Sequence, residues 1–377
     1  MLVVAVPTFF AVFAPRRTPL LARASFWLGI AINELPFYPV VWLAAATILA
    51  ALDGSLLSPG GLVALALAVA ATVGLLVILA RGVASRPALA DGLRRAGLDA
   101  AARCVLGARS AGRTVLSLVT PFAVRARGVR RVKDVPYGEH GRLNLLDLYR
   151  PTTQRWPGPV LVYFHGGGYY SGRKSKEARL LLYRLARRGW VCVSANYRLR
   201  PEAGFGDHLA DLGKVLSWVR AHAADHGGDP ARIVLAGSSA GAHMSSIAAL
   251  DPNLPQLRQG PTGPPARRVE AVVCLYGYYG HYYGLGSGHD PSSSPADHVR
   301  ADAPRFFVAH GDHDTYVPVL GTREFAEKLR AVSRNTVVYA ELPGAQHSFD
   351  LFRSPRFESV VDAVEAFLED GPSREVA

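Results

Sequence analysis

Ile233-Val234-Leu235-Ala236-Gly237-Ser238-Ser239-Ala240-Gly241 is the stretch whose reading decides the fold. Its first four residues form a short apolar run of the kind that makes a buried strand, ending at a glycine. Ala240 to Leu250 then has helical character. A serine at a strand-to-helix turn, with Gly237 two residues before it and Gly241 two after, has the form of a nucleophile elbow. The turn is sharp, and glycines relieve crowding against neighbouring elements. Ser239 is thereby left at the carboxyl end of a strand, on a helix N-terminus.

Working outward, a second motif precedes the first. His165-Gly166-Gly167-Gly168 follows the apolar run Pro159 to Phe164, seventy-four residues before Ser239. A glycine run lets backbone N–H groups face a developing oxyanion without side chains in the way. The expected oxyanion hole uses the N–H groups of Gly166, Gly167 and Ala240, with His165, Gly168, Gly237 and Gly241 shaping the two turns. A serine hydroxyl also needs a base, and the base needs an acid to orient it. In elbow folds these follow in the order serine, acid, histidine. His310-Gly311-Asp312-His313-Asp314-Thr315-Tyr316-Val317-Pro318 and Gly344-Ala345-Gln346-His347-Ser348-Phe349 each follow a strand-like run. Asp314 is assigned as the acid and His347 as the base, with Asp312 the second candidate acid and His313 a weaker base. Consecutive residues leaving a strand point in different directions, so Asp312, His313 and Asp314 do not make a metal site. No metal or cofactor is expected.

The remaining pattern alternates two periods. Val129–Tyr137 and Leu143–Tyr149 read as an early strand pair. Trp190–Ala195, Ala271–Leu275, Phe306–His310 and Thr336–Leu342 read as further strands. Ser175–Arg187, His208–Ala223 and Phe357–Leu368 read as helices, and Pro252–Pro265 as a surface loop. Apolar strands between helices predict an α/β fold with a mostly parallel sheet covered on both faces. With HGGG at 165–168, GSSAG at 237–241, HGDHDTYVP at 310–318 and GAQHSF at 344–349, residues 129 to 370 resemble the α/β-hydrolase superfamily, and within it the hormone-sensitive-lipase-like bacterial carboxylesterases. Tyr197-Arg198-Leu199 and Asp211 fit the same resemblance. Asn33-Glu34-Leu35-Pro36 and the apolar N-terminus resemble membrane-attached actinobacterial esterases, mycobacterial ones included. The resemblance implies a Ser239–His347–Asp314 triad and an oxyanion loop at Gly166. The chain departs from the hormone-sensitive pattern at Ser238, where aspartate is common. It also carries apolar segments and a basic linker where that family has a soluble N-terminal cap.

Those apolar segments explain a mean hydropathy of +0.13. Gly61 to Ala80 is twenty residues without a charge, about 30 Å as a helix and enough to span a bilayer core. Phe26 to Leu52 is a second span candidate, broken around Asn33, Glu34, Pro36 and Pro39. Leu2 to Ala14 makes a poor signal peptide, and fits a partial span or an interfacial helix. Glu34 marks either a polar site in the membrane or a helix break where it reaches water. Arg81 to Arg131 holds eleven basic residues against two acids, nine of the chain's net +12. Next to apolar segments, that charge predicts anionic lipid headgroups as partner rather than nucleic acid. From Asp91 to Val124, apolar residues alternating with arginines fit an amphipathic helix on the membrane face and, compatibly, a surface helix packed on the catalytic domain. Arginine placement predicts a multi-pass membrane protein with its catalytic domain in the cytoplasm. The expected organisation is a membrane region at 1–80, a basic amphipathic linker at 81–128 and a catalytic domain at 129–377.

Three cysteines give no disulfide framework, and Cys192 and Cys274 sit in strand-like runs as core residues. Tyr276, Tyr278, Tyr279, Tyr282 and Tyr283 cluster after a strand. Tyr278, Tyr279 and Tyr282 fit a pocket for an apolar substrate group, or equally a loop of packed tyrosines. The expected function is a membrane-anchored serine carboxylesterase or lipase acting on lipophilic esters. The alternatives are an acyltransferase with the same triad and an inactive membrane scaffold.

Overall fold

The computed structural model describes residues 1–107, 117–122, 124–153, 156–258, 268–282 and 291–370. Among these, strands β1 (Val129–Pro136), β2 (Leu145–Pro151), β3 (Gly158–Phe164), β4 (Val191–Ala195), β5 (Gly228–Ser238), β6 (Ala271–Leu275), β7 (Arg305–Gly311) and β8 (Val337–Leu342) form one sheet. Their spatial order is β1-β2-β4-β3-β5-β6-β7-β8. β1 and β4 both pair antiparallel with β2, and every pair from β4 to β8 is parallel. The expected mostly parallel sheet is present.

Alternation along the strands divides the core in two. Val160, Val162 and Phe164 face one layer, and Leu161 and Tyr163 face the other. The first layer is closed by α7 (Phe205–His222), α8 (Ala240–Leu250) and α9 (Val319–Val332), through Leu209, Leu212, Met244, Ile247, Phe325 and Leu329. The second is closed by α6 (Arg179–Arg187), α10 (Pro355–Glu369) and two helices that precede the sheet in sequence. These are α4 (Pro59–Arg95) and α5 (Asp99–Gly107), which contribute Leu89, Leu93, Ala102 and Val105. The sequence reading assigns no element at 319–332, where α9 lies. Its Phe325 and Leu329, one turn apart, carry the helical signal.

The N-terminal region differs from expectation in three ways. First, α4 is 37 residues long, roughly 55 Å, and its halves have different surroundings. Leu62, Val63, Val69, Val73 and Leu76 are exposed, whereas Leu89, Ala90 and Leu93 are fully buried on the sheet. At Gly92 a β-carbon would stand 2.5 Å from the Tyr339 carbonyl oxygen of β8, so only glycine permits this approach. α4 is the one helix among the described residues that is long and apolar enough by itself to cross a membrane. Second, residues 85–105, expected as linker, are a layer of the core that covers the sheet. The end of α4 and α5 pack on the sheet, as the second reading of 91–124 expects; the first reading is compatible with it. Residues 108–116 and 123, which include Val115 and Leu116 of that stretch, lie outside the described residues. Arg86 is also unavailable to lipid, since it is buried against Asp362 at 2.8 Å. Arg131 pairs with Asp147.

Third, the Phe26–Leu52 segment is two helices, α2 (Pro19–Glu34) and α3 (Phe37–Leu52), bent by 83° at the break the prolines predict. Glu34 ends α2, but it neither reaches water nor faces a membrane. It is 2% exposed, ion-paired with Arg356 and accepts the Ser354 hydroxyl at 2.6 Å. A buried carboxylate needs such a partner, and the start of α10 supplies it. α1 (Leu2–Phe13) packs with α2–α4 in a small separate cluster around Leu43, Ala71, Leu75 and Ile78.

Candidate active site

β5 ends at Ser238 and α8 begins at Ala240, leaving Ser239 alone at the corner with φ 52° and ψ −117°. That left-handed backbone is strained for a residue with a side chain, and the corner's packing imposes it. A β-carbon on Gly237 would meet the Gly241 carbonyl carbon at 2.3 Å, and one on Gly241 would meet the Phe164 carbonyl oxygen at 2.0 Å. Both glycines are required by contact.

The loop after β8 brings His347 to this corner, with Nε2 at 3.0 Å from Ser239 Oγ. The loop after β7 brings Asp314, whose Oδ2 is 2.6 Å from His347 Nδ1. All three side chains are buried. Asp314 Oδ1 accepts the N–H groups of Tyr316 and Val317 at 2.9 and 2.7 Å. Burial by itself pushes the Asp314 pKa up. His347 and His310, which approach the same carboxylate, more than offset this and hold it well below the ordinary range. Asp314 is therefore a carboxylate, which fixes the proton of His347 on Nδ1 and leaves Nε2 to accept from the serine. His310 was not singled out in the sequence. Its Nε2 faces the Val317 carbonyl at 2.9 Å and Asp314 at 3.2 Å, so it is a donor there.

The neighbouring candidates are used otherwise. Asp312 accepts the Gly344 N–H at 2.6 Å and joins the two loops. His313 turns away toward the Ala11 carbonyl at 3.4 Å. Among the described residues, no cluster of three or more histidine, cysteine or acidic side chains could hold a metal.

The glycine loop after β3 lies against the serine: a β-carbon on Gly166 would be 3.0 Å from Ser239 Cβ. Here one expectation is corrected. The Gly166 N–H donates to Glu177 Oε2 at 2.6 Å, so it is not available to an oxyanion. The N–H groups of Gly167 and Ala240 have no acceptor among the described residues. Gly167 has φ +111°, a conformation that favours glycine.

The tyrosine cluster is corrected in part. Tyr279 stacks on Phe325 at 4.1 Å in the core. Tyr282 is buried with its hydroxyl 3.0 Å from His208 Nε2. Tyr278 is half-buried beside His243. Tyr283 lies outside the described residues. The rings that meet His347 are instead Tyr276 at 4.6 Å, Tyr316 at 5.7 Å and Phe26 at 6.3 Å. Phe26 belongs to α2 and packs on Tyr316 at 4.4 Å. Its position 213 residues before the serine carried no signal in the sequence. α2 is also bonded to both loops. Thr315 Oγ1 donates to the Ala22 carbonyl at 2.9 Å, and Asn33 Nδ2 donates to the Gly344 carbonyl at 2.8 Å. The N-terminal helices therefore stand where a cap would, over Asp314 and His347.

A family profile described as BD-FAE matches residues 146–280. The "Probable carboxylic ester hydrolase LipM" of Mycobacterium tuberculosis is 41% identical over 262 residues, 63% of this chain and 60% of that protein. "Esterase LipQ" of the same organism is 37% identical, over 64% of this chain and 63% of that protein. The chain thus spans less than two thirds of the length of these relatives. An isoprenylcysteine alpha-carbonyl methylesterase of Arabidopsis thaliana is 27% identical, over 66% of this chain and 65% of that protein. Among solved structures, the Thermogutta terrifontis esterase Est2 with butyrate bound superposes with a TM-score of 0.56 at 26% identity, covering 65% of this chain and 94% of that one.

Proposed function

We propose that this chain, which belongs to the α/β-hydrolase superfamily beside the hormone-sensitive-lipase-like bacterial carboxylesterases, hydrolyses carboxylic esters through an acyl-enzyme on Ser239. The observation that carries the reading is the continuous Ser239–His347–Asp314 relay beside the unpaired Gly167 and Ala240 N–H groups. His347 Nε2 takes the Ser239 proton as Oγ attacks the ester carbonyl. The oxyanion is held by Gly167 and Ala240; such donors contribute about 10²- to 10³-fold each in kcat. The tetrahedral intermediate collapses, and the alcohol leaves with the proton from His347. Water, deprotonated by His347, then attacks the acyl group and restores Ser239 with release of the acid.

The same reading extends to a membrane-attached enzyme acting on lipophilic esters. The apolar half of α4 supports this, as do the exposed Leu2, Phe9, Phe13, Leu20, Trp27 and Trp42 on the helices around it. Arg16, Arg17 and Arg23 are exposed beside them, suited to anionic headgroups. α2 links surface and site, since Phe26 meets His347 while the adjacent Trp27 is 67% exposed. An isoprenylcysteine methylesterase acts, by its name, on a lipid-modified ester, and Est2 holds butyrate; chain length is therefore the property to measure.

A fluorophosphonate probe tests the chemistry: it labels the wild type and leaves Ser239→Ala unlabelled. Equal labelling of both, or none of the wild type, removes the enzyme reading. A p-nitrophenyl ester series on detergent-purified protein then gives the acyl preference, with higher kcat/KM for longer acyl groups as the lipophilic outcome.

A further inference from the structure

Ser238 departs from the aspartate common in related elbows, and the fold supplies a carboxylate there from elsewhere in the chain. Ser238 Oγ donates to Asp350 Oδ2 at 2.8 Å. Tyr276, whose ring packs edge-on to His347, donates to the other oxygen of Asp350. Tyr163 donates to Ser238 Oγ at 2.8 Å, and its hydroxyl also lies 3.4 Å from Glu177 Oε2. These groups are buried and form one connected polar chain behind the elbow, in which Tyr163 gives its single proton to Ser238 and its oxygen stands beside Glu177. It runs from Glu177, before α6, to Asp350, three residues past His347.

At the Glu177 end the chain meets the glycine loop. The peptide between His165 and Gly166 is held on both edges. Its carbonyl accepts the Tyr197 hydroxyl at 2.9 Å, and its N–H donates to Glu177 at 2.6 Å. The next peptide begins at the Gly166 carbonyl, which faces His165 Nδ1 at 2.7 Å. Because a peptide is planar and trans, fixing the Gly166 carbonyl fixes the opposite direction of the Gly167 N–H. Burial pushes Glu177 up and the nearby Asp350 pushes it further. Burial likewise raises Asp350, against the lowering effect of its Tyr276 and Ser238 hydrogen bonds. Two buried carboxyl groups without an ion-pair partner among the described residues are expensive to keep, and among those residues the backbone group that Glu177 serves is the Gly166 N–H.

We infer that Glu177 is a positioning residue, which holds the His165–Gly166 peptide and, together with His165 Nδ1 on the following carbonyl, aims the Gly167 N–H at the oxyanion, while Tyr163, Ser238 and Asp350 tie that loop to the elbow and the histidine loop. This rests on the proposed esterase reading. It is distinct from a packing role, because the oxyanion donor matters more in the transition state than in the bound ester.

Steady-state kinetics with p-nitrophenyl butyrate on the full chain tests it. Glu177→Ala is expected to lose about 10- to 100-fold in kcat, with KM within about threefold and an unchanged circular dichroism spectrum. Glu177→Gln keeps an acceptor oxygen and recovers most of the kcat. A trifluoromethyl ketone, which forms a tetrahedral adduct on the serine, weakens in step with kcat/KM in Glu177→Ala. The inference is overturned if Glu177→Ala keeps kcat within about twofold of wild type, or if Gln and Ala lose kcat equally. Should Glu177→Ala fail to fold, Glu177→Asp decides. Its shorter arm withdraws the acceptor, so reduced kcat at constant KM supports the inference and wild-type kcat overturns it. A wild type with no Ser239-dependent turnover overturns the esterase reading and this inference with it, and that result is read from the wild type alone.

Discussion

Asp314 carries three duties at one carboxylate: it binds His347, accepts two backbone N–H groups and meets His310. Replacing it with asparagine keeps the shape and removes the charge that fixes the His347 tautomer. Asp314→Asn is expected to lower kcat by about 10³- to 10⁴-fold with little change in KM, as measured by ester turnover on folded protein. The residues of this relay were legible because each sits in a short motif just after a strand. The Gly166 assignment went wrong for a local reason. A glycine run shows where N–H groups can be exposed, but which one is already used depends on Glu177, eleven residues on and folded back beneath the loop.

At the scale of elements, α2 belongs to a segment that reads in the sequence as a span candidate, and in the structure it lies against the Asp314 and His347 loops. Phe26 fills space between Tyr316 and His347. Phe26→Ala opens that space, and the expected result is a shift of kcat/KM toward bulkier acyl groups across the p-nitrophenyl series. The end of α2 is fixed by the buried Glu34–Arg356 pair. Glu34→Ala leaves Arg356 buried without its partner and is expected to cost about 3–5 kcal/mol, read as a lower thermal midpoint. Replacing both partners together with Leu and Met is expected to recover most of that loss, since the unpaired charge is then gone. The sequence marked Glu34 as unusual in an apolar stretch but could not supply Arg356, 322 residues away.

At the scale of the whole molecule, three buried histidines give stability a pH dependence. Burial lowers His165, His208 and His243 to about 4, whereas the unfolded chain titrates near the ordinary value of about 6.5. Between those values the unfolded state binds more protons than the folded one. Stability is therefore fully present above pH ~6.5 and falls as pH drops toward ~4, by roughly 1.4 kcal/mol per pH unit for each histidine. The thermal midpoint is expected to fall steeply over that window; a flat profile would refute burial of the neutral imidazoles. The membrane attachment proposed for this chain is also tested on the whole chain. Ser55 and Cys104 are both exposed, one at the α3–α4 turn and one on the catalytic side of α4. An impermeant thiol reagent added to intact cells is expected to label Ser55→Cys in a Cys104→Ser background and to leave Cys104 of the wild type unlabelled. Labelling of Cys104 would reverse the orientation expected from arginine placement.

The sequence by itself determined the strand–helix alternation, the elbow at Ser239 and the order of acid and histidine. It could do so because these depend on neighbours within a few residues: a period of two or 3.6, a glycine where a turn is tight, a loop after a strand. Only the tertiary structure decided what lies around that centre. It showed that residues 85–105 of the basic stretch are a core layer, that α2 covers the histidine, and that Gly166 is already bonded. Each of these is a contact between parts of the chain far apart in sequence, and local pattern holds no record of which distant surface a segment will bury against.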